Sequence, residues 1–547
     1  MTLRHNFFTP LFLFYPPNIY FFLMLKYPLG LSDFKGIRQD RYYYIDKTAY
    51  IKTLIENGKF YFLGRPRRFG KSLFLSTMEY FFRGERALFE GLNITSYDWN
   101  WEEYPVIHID LGPKNYRSEE SIYERLDEVL EDYEVKYGVE LSGNRKNIES
   151  RLSRLIKKAY HVSGRQVVVL VDEYEKPVVD LLDNPELMKI NRDILRGFYS
   201  VLKSSDEFLK LVFLTGVTKF GQMSVFSGLN NITDISFDFR FGAVCGITEK
   251  ELTETFYEGI EDFAKRNKTD FNGAVLLLKE NYDGYHFNED CPDIYNPYSL
   301  VKALYSQKIG SYWSQSGTPA LLANALLSKK YNIERIPGTR VSERRISRID
   351  NQYEDPIALL YHTGYLTIKS YDETTEEYIL DYPNREVEHA FLEYLLPSFS
   401  SNKDLDSESL INELKSYLLM GDCNAFVETL KAITAGIEYD LIPKVESERH
   451  FQYMIYIISR LLVSRNINVI AEDRTSDGRI DMSIVTPDFT YIIEFKINSS
   501  AEKALIQINE KEYYLKYQNN KRKIFLIGMN FNTEKRRVDD TKIQVME

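Results

Sequence analysis

The chain has 547 residues, is 44% hydrophobic and 27% charged, and carries a formal net charge of −11. This composition is ordinary for a soluble globular protein, and the length predicts roughly three domains. The negative charge excludes a basic surface over the whole molecule, so any contact with nucleic acid would require a local basic patch.

The first 23 residues form an apolar, aromatic extension that is interrupted by Pro10, Pro16 and Pro17. A membrane helix needs about 20 consecutive apolar residues, and paired prolines disrupt a regular helix. We therefore expect no stable membrane association. We also expect the natural protein to begin at Met24, which would leave residues 1–23 outside it.

A phosphate-binding loop is indicated near the N-terminus. Residues 59–63 are apolar enough for a buried strand, the loop after them ends in Gly70-Lys71-Ser72, and an apolar helical run follows. In such a loop the backbone N–H groups and the helix N-terminus attract phosphates, Lys71 reaches the β and γ phosphates, and the Ser72 hydroxyl binds Mg²⁺. Arg65 stands where the standard spacing has a glycine, and an incidental Gly-Lys-Ser is the alternative interpretation.

Two further apolar runs end in polar residues. Residues 166–171 are continuously apolar after Gln166 and end in Asp172-Glu173, whereas residues 210–214 end in Thr215. Continuous apolar runs are typical of strands buried on both faces, and their alternation with helical stretches predicts a parallel α/β sheet. In this arrangement Asp172 organises Mg²⁺, Glu173 activates water, and Thr215 senses the γ phosphate. The alternative is a pair of ordinary buried strands with polar tips.

The pattern changes after the first module, which we place at residues 24–246. Residues 247–400 alternate helical segments with short aromatic motifs, which predicts a helical lid or winged-helix-like region. Residues 400–409 are polar and predict an exposed linker. Residues 405–547 form the third predicted domain.

The third domain contains a predicted β-hairpin centred between Pro487 and Asp488, which places Asp481 opposite Glu494. Because side chains alternate along a strand, these carboxylates share a face with Lys496. Like charges opposite each other destabilise a sheet, so we interpret the pair as a binding site for a divalent cation. Such a cation makes a water more acidic and offsets phosphate charge. A solvated charged face is the alternative.

The hairpin resembles the catalytic core of the PD-(D/E)XK nuclease superfamily. The resemblance covers roughly residues 405–547 and includes Asp481, Glu494-Phe-Lys496, upstream Glu448 and downstream Gln507. It implies an α/β restriction-endonuclease-like fold, with Asp481 and Glu494 as metal ligands, Lys496 as the catalytic lysine, and Glu448 and Gln507 in supporting roles. Mg²⁺ is the implied cation, and Mn²⁺ is an alternative at this site.

The N-terminal motifs resemble an AAA-ATPase-like family that is often joined to such a nuclease domain. The matching segments extend from about Pro28 across nearly the whole chain. They are residues 43–48, 65–72, 171–177, 215–219, 282–287, 295–299 and 382–386. In this family an arginine at the position of Arg65 is normal, so the resemblance implies ATP binding and includes Arg65 in the nucleotide site.

Three cysteines, Cys245, Cys291 and Cys423, are far apart and show no zinc spacing, which fits a reducing cytoplasm. A basic C-terminal cluster fits either a solvated face or contact with DNA or RNA. Its members are Lys503, Lys511, Lys516, Lys521, Arg522, Lys523, Lys535, Arg536 and Arg537. The leading hypothesis is an ATP-binding protein that hydrolyses ATP and has a Mg²⁺-dependent nuclease-like site. The alternative is a nucleotide-dependent scaffold or signalling ATPase whose nuclease-like domain does not cleave. The sequence leaves open whether the chain forms a homo-oligomer.

Overall fold

The computed structural model describes most of the chain from residue 25 onward. The described ranges are 25–140, 144–181, 184–217, 229–313, 322–323, 326–327, 329, 331–347, 356–399, 406–435, 447–475, 478–519 and 521–546. The predicted apolar extension, residues 1–23, therefore lies outside the described residues. Within these ranges, no helix combines the length and the apolar character that crossing a membrane requires.

The N-terminal part is a sheet with helices on both faces. Its elements in chain order are α1 (Phe34–Gln39), α2 (Ala49–Asn57), β1 (Phe60–Gly64), α3 (Lys71–Phe82), β2 (Val106–Asp110), α4 (Glu119–Tyr137), α5 (Ile148–Ser163), β3 (Val167–Asp172), α6 (Lys176–Val179), α7 (Pro185–Ser204), β4 (Leu209–Gly216) and β5 (Thr233–Asp234). Short 3₁₀ turns span Arg86–Phe89, Asn93–Ser96 and Asp206–Phe208.

The five strands are parallel in the order β2-β3-β4-β1-β5. Every residue of β3 is buried, as the continuous apolar run predicts. The carboxyl ends of β1, β3 and β4 meet at one edge of the sheet, where parallel α/β folds bind ligands. The predicted parallel α/β sheet is confirmed.

The middle part is mainly helical and includes a small antiparallel sheet with strand order β6-β8-β7. Its elements are α8 (Glu249–Thr255), α9 (Tyr257–Arg266), α10 (Phe271–Tyr282), α11 (Pro297–Ser306), β6 (Thr339–Ser342), α12 (Glu343–Ser347), α13 (Pro356–Thr363), β7 (Thr367–Asp372), β8 (Glu377–Asp381) and α14 (Arg385–Leu395). Further 3₁₀ turns span Phe239–Phe241, Ile333–Arg335 and Leu396–Phe399. The winged-helix-like character of this region stays a prediction.

The C-terminal part is a mixed sheet in the order β13-β12-β11-β10-β9. Its elements are α15 (Ser407–Met420), α16 (Cys423–Ala435), α17 (Ser447–Leu462), β9 (Asn468–Thr475), β10 (Gly478–Val485), β11 (Phe489–Ile497), α18 (Ala501–Glu510), a 3₁₀ turn (Tyr513–Tyr517), β12 (Lys523–Asn532) and β13 (Arg537–Met546). Apolar residues of α15, α16 and α17 share a core with one face of the sheet, whereas Ile508 of α18 packs on the other face. This mixed α/β architecture confirms the predicted fold class of the domain.

Asp283, at the end of α10, is a buried carboxylate whose ionisation opposes folding. It is 1% exposed, neither oxygen makes a hydrogen bond of normal geometry within the described residues, and Lys279 Nζ lies 3.7 Å away. Burial raises the pKa of Asp283 to about 7, against a smaller opposing effect of the Gly284 amide.

Because the folded state binds this proton more tightly than the unfolded state, stability falls as the pH rises from about 4 to about 7. Asp283→Asn should remove this part of the pH dependence. It should also raise the free energy of unfolding above pH 7 by about 2 kcal/mol. Denaturant unfolding at pH 5 and pH 8 measures the difference. An equal effect of the substitution at both pH values would contradict this account.

Candidate nucleotide and metal sites

The loop between β1 and α3 has the geometry of a phosphate-binding loop. Gly70 takes a left-handed conformation with φ of 92° immediately before α3, which explains why a glycine stands there. Lys71 is 8% exposed, and its Nζ donates to the main-chain oxygens of Arg65 and Pro66, both at 3.0 Å. Burial lowers the pKa of Lys71, and the nearby carboxylates, above all Asp172, oppose this effect. The amine therefore lies inside the loop.

The predicted Mg²⁺ ligands of this loop are in direct contact with each other. Asp172, at the end of β3, is 5% exposed and accepts a hydrogen bond from the Ser72 side chain. Burial raises the pKa of Asp172, while Ser72 and Lys71 lower it. Glu173 follows in a left-handed conformation with φ of 50°, which is unusual for this residue type and is a typical feature of functional turns.

Glu175 is a site residue that the sequence analysis missed. It is 3% exposed, and its Oε1 accepts a hydrogen bond from the Val217 amide at 2.5 Å. A Cβ at Gly216 would lie 1.9 Å from Glu175 Oε2, so a larger residue there would displace this carboxylate. Burial raises the pKa of Glu175 to about 7. The second glutamate of Asp172-Glu-Tyr-Glu175 was the available sequence signal.

A cavity of 550 Å³ adjoins the loop and is lined by Gly70, Lys71, Ser72 and Glu173. This volume lies within the range of small-molecule sites. Its far walls are mostly aromatic and aliphatic and come from the N-terminal segment and the middle part of the chain. They include Leu29, Tyr43, Ile45, Phe256, Tyr298 and Val301. The cavity thus has a polar end at the loop and an apolar end opposite it, as a nucleotide requires.

Arg65 does not line this cavity, and its role in the nucleotide site stays a prediction. It is 1% exposed, and its guanidinium donates to the main-chain oxygens of Gly64, Ser236 and Phe241 at 2.8–2.9 Å. The guanidinium also lies 4.1 Å from the ring centroid of Phe287. Arg65 therefore anchors the loop to the sheet edge, because its donors satisfy three main-chain carbonyls, of which the Phe241 contact is buried.

Thr215 occupies the predicted position at the end of β4, between the loop strand and the strand that carries Asp172. It is fully buried, and within the described part of the chain its hydroxyl has no hydrogen-bond partner. A buried polar group without a partner is costly. Its role as a γ-phosphate sensor stays a prediction.

Arg65 and Arg67 provide a test that separates folding from phosphate binding. Arg65→Ala should lower the free energy of unfolding by about 3 kcal/mol, because it removes a fully buried guanidinium and its bonds to three main-chain carbonyls. Arg67 is exposed and lines the cavity, so Arg67→Ala should weaken ATP binding by about tenfold with little change in stability. Urea unfolding and ATP titration of both variants measure the two effects. An Arg65→Ala protein of normal stability would contradict the anchoring role.

In the C-terminal domain, the predicted hairpin has the expected register. Met482 pairs with Ile493, and Val485 pairs with Thr490. The same register, extended by one residue, places Asp481 opposite Glu494. The backbone pairing of β10 with β11 stops at Met482. The Asp481 carboxylate accepts a hydrogen bond from the Phe495 amide at 2.8 Å. The strands separate at the carboxylates, and the side chain of Asp481 satisfies the amide that a ladder bond would use.

One predicted side-chain direction is wrong. Strict alternation along β10 predicts Ile480 on the same face as Met482, but Ile480 packs with Ile492, Ile508 and Tyr513 under α18. Glu472, at the corresponding position of β9, has a left-handed backbone with φ of 51°. The irregular backbone around Asp481 breaks the strict alternation on which the prediction relied.

Glu494, Lys496 and Gln507 form a connected polar group. Lys496 Nζ donates to Glu494 Oε1 at 3.1 Å and to Gln507 Oε1 at 2.5 Å, and Gln507 also donates to Glu494 Oε1. Glu494 is 2% exposed. Burial raises the pKa of both Asp481 and Glu494. The positive charge of Lys496 opposes this rise at both carboxylates.

One observation indicates that this group could bind a cation. Glu494 Oε2 is buried and, within the described residues, has no hydrogen-bond partner. Burying two charged carboxylates costs free energy, which is why burial raises their pKa values. A bound positive ion offsets this cost. Among the described residues, no three acidic, histidine or cysteine side chains converge into a metal-binding group. Asp481 and Glu494 are the candidate ligands here, and their binding of a cation stays a prediction.

Glu448 does not join the two carboxylates. It is exposed in the first turn of α17, and that helix approaches β11 through Phe451, whose ring centroid lies 5.6 Å from that of Phe495. Its predicted metal contact stays a prediction.

A separate buried group, which the sequence analysis missed, joins β9 to β10. Asp473 of β9 accepts hydrogen bonds from Ser483, Lys516 and Tyr517. This group holds β9 and β10 together.

Two family models match the chain. Residues 28–226 match the family described as "Predicted AAA-ATPase", and residues 446–541 match the PD-(D/E)XK nuclease superfamily. The first range contains the phosphate-binding loop and the second contains the separated hairpin. These two domains indicate nucleotide binding and a nuclease-like function.

A relative matches nearly the whole chain. The chain is 33% identical to the "Uncharacterized protein in vnfD 5'region" of Azotobacter chroococcum mcd 1 over 519 residues, which cover 94% of this chain and 98% of the relative. The chain belongs to the family of AAA-ATPase-like proteins with a C-terminal PD-(D/E)XK nuclease superfamily domain.

Proposed function

We propose that this protein binds and hydrolyses ATP at the loop around Lys71 and cleaves nucleic acid at the site formed by Asp481, Glu494 and Lys496. Buried Glu494 Oε2, which lacks a hydrogen-bond partner within the described residues and lies in a group that includes Lys496, is the observation that carries the nuclease assignment. A hydrophobic or hydrogen-bonded side chain would be more stable there unless a cation binds. Mg²⁺ is the physiological candidate and Mn²⁺ a substitute.

At the nucleotide site, each residue has a specific task. Lys71 turns from the two carbonyls that it now contacts towards the β and γ phosphates. Ser72 and Asp172 hold Mg²⁺, and Glu173 accepts a proton from the attacking water. The aromatic and aliphatic end of the cavity encloses the base. Thr215 contacts the γ phosphate or the water beside it.

At the nuclease-like site, Asp481 and Glu494 bind the cation, and Lys496 donates to a phosphate oxygen or to the attacking water. Gln507 holds Lys496 in place, as the 2.5 Å hydrogen bond indicates. A bound divalent cation supplies charge neutralisation at the phosphate. Because the lysine already bonds one metal ligand, its position is set before substrate arrives, which favours the transition state.

Nucleic acid would meet a surface of exposed lysines on and near α18. Lys503, Lys511 and Lys521 are exposed, whereas Lys516 is bound to Asp473, Lys535 is bound to Asp539 and Arg536 is buried. Fewer residues of the basic C-terminal cluster are thus available for phosphates than the sequence suggests. We place the protein in the cytoplasm, since its three cysteines are free and buried.

Incubation of the full chain with single- and double-stranded DNA and RNA, in Mg²⁺ or Mn²⁺ and with or without ATP, tests the proposal. We expect cleavage that is lost in Asp481→Ala. Binding of nucleic acid without cleavage by the wild type would support a scaffold instead. ATP turnover without any nucleic-acid binding would support a signalling ATPase.

A further inference from the structure

We propose that helix α14 (Arg385–Leu395) transmits the nucleotide state of the phosphate-binding loop to the nuclease-like site, through Glu386 at one end and the Glu388–Arg460 ion pair at the other. The inference rests on the proposed function and specifies how the first site regulates the second. It requires that α14 be connected to the phosphate-binding loop and to the nuclease-like domain. Both connections are present.

The first contact joins the loop to α14 through residues 312–313. Arg68 lines the nucleotide cavity, and its guanidinium lies 3.9 Å from the ring centroid of Tyr298 and donates to the Tyr312 carbonyl at 3.4 Å. Glu386 Oε1 accepts the amides of Tyr312 and Trp313, the latter at 2.8 Å. The same two residues therefore contact the loop arginine and the helix carboxylate.

A parallel line of apolar contacts reinforces this connection. A Cβ at Gly364 would lie 2.7 Å from Pro66 Cβ, so the loop packs tightly against the end of α13. The Trp313 and Tyr365 rings lie 4.7 Å apart, and Tyr365 lies 4.9 Å from Phe391 of α14. Because packed interiors transmit displacement, a shift of the loop would reach α14 by this route as well.

The second contact joins α14 to the nuclease-like domain. Arg460 of α17 donates from Nε to Glu388 Oε1 at 2.5 Å, and the Glu388 side chain is only 11% exposed. Nearer the start of α17, the Phe451 ring stacks on the Phe531 ring with the centroids 4.3 Å apart, and it also contacts the Phe495 ring. The Phe495 amide in turn donates to Asp481. The chain of contacts therefore ends at a predicted metal ligand.

Nucleotide phosphates supply the differential interaction that such coupling requires. Arg68 lies beside the phosphate end of the cavity, so an incoming anion competes with Tyr298 and the Tyr312 carbonyl for its guanidinium. Loss of those contacts frees residues 312–313 to move with Glu386. A contact path alone is not coupling, so the inference depends on a measurement.

The test uses Arg460→Met, which breaks the ion pair away from both sites, and Arg340→Met as a matched control. Arg340 is exposed to the same degree, 47% against 45% for Arg460, and also pairs with a carboxylate, Asp372. Hydrogen exchange of residues 447–462 and 489–497 is measured with and without ATP. Nuclease activity with and without ATP is a second reading.

We expect ATP to change exchange in these segments in the wild type and in Arg340→Met. In Arg460→Met we expect this change to be lost, while ATP affinity stays within about twofold and any ATP effect on cleavage falls by at least about fivefold. The reversed pair Glu388→Arg with Arg460→Glu should restore part of the response. ATP binding to the wild type without any change in exchange, or an unaltered response in Arg460→Met, overturns the inference alone. Failure of the wild type to bind ATP overturns the proposed nucleotide function as well.

Discussion

Replacement of Lys496 by alanine is expected to lower metal-dependent cleavage of nucleic acid by about a hundredfold or more. The Lys496 amine is a positively charged donor that contacts Glu494 Oε1 at 3.1 Å and can also donate to a phosphate oxygen. Its side chain is 26% exposed, so substrate can reach it. Single-turnover cleavage of a labelled oligonucleotide measures the effect.

Lys503→Ala is the matched control for this prediction. Lys503 is an exposed lysine on α18, close in sequence to the site but outside the Glu494–Lys496–Gln507 group. Its loss should weaken binding of nucleic acid at low salt, with little effect on the rate of the bound complex. Equal losses of single-turnover rate in Lys496→Ala and Lys503→Ala would contradict a catalytic role for Lys496.

Lys71→Ala is expected to weaken ATP binding by about a hundredfold, because it removes the charged donor that reaches the phosphates. Lys71 also donates to the carbonyls of Arg65 and Pro66, so thermal unfolding is measured in parallel. Isothermal titration with ATP and Mg²⁺ gives the affinity. A folded Lys71→Ala protein with wild-type affinity would show that the nucleotide binds elsewhere.

Lys176→Ala separates this effect from a general loss of positive charge. Lys176 also lines the cavity, but its Nζ pairs with Asp180 at 3.0 Å. We expect its loss to change ATP affinity by less than about threefold. A loss as large as that of Lys71→Ala would indicate that the cavity attracts ATP by net charge rather than through the loop.

Much of the fold was predictable because local pattern and tertiary structure agree. The apolar run before Asp172 forms a fully buried strand, as continuous hydrophobic runs in parallel sheets do. The hairpin register followed from a two-residue connection at Pro487-Asp488, since the alternation of side chains fixes which residues face each other.

The remaining features depend on contacts between residues far apart in the sequence. The fixed position of Arg65 is set by carbonyls of Ser236 and Phe241, more than 170 positions later. The direction of Ile480 depends on the separation of the strands at Asp481, which the pattern of apolar residues does not encode. The contact of Glu388 with Arg460 spans 72 positions. Periodicity cannot reveal such pairings.

A crystal of the full chain soaked in Mn²⁺ and measured at the manganese absorption edge tests the central claim most directly. The account predicts an anomalous peak that contacts carboxylate oxygens of both Asp481 and Glu494, and loss of that peak in Glu494→Gln. An empty hairpin at millimolar Mn²⁺, with the two carboxylates turned away from each other, would contradict it.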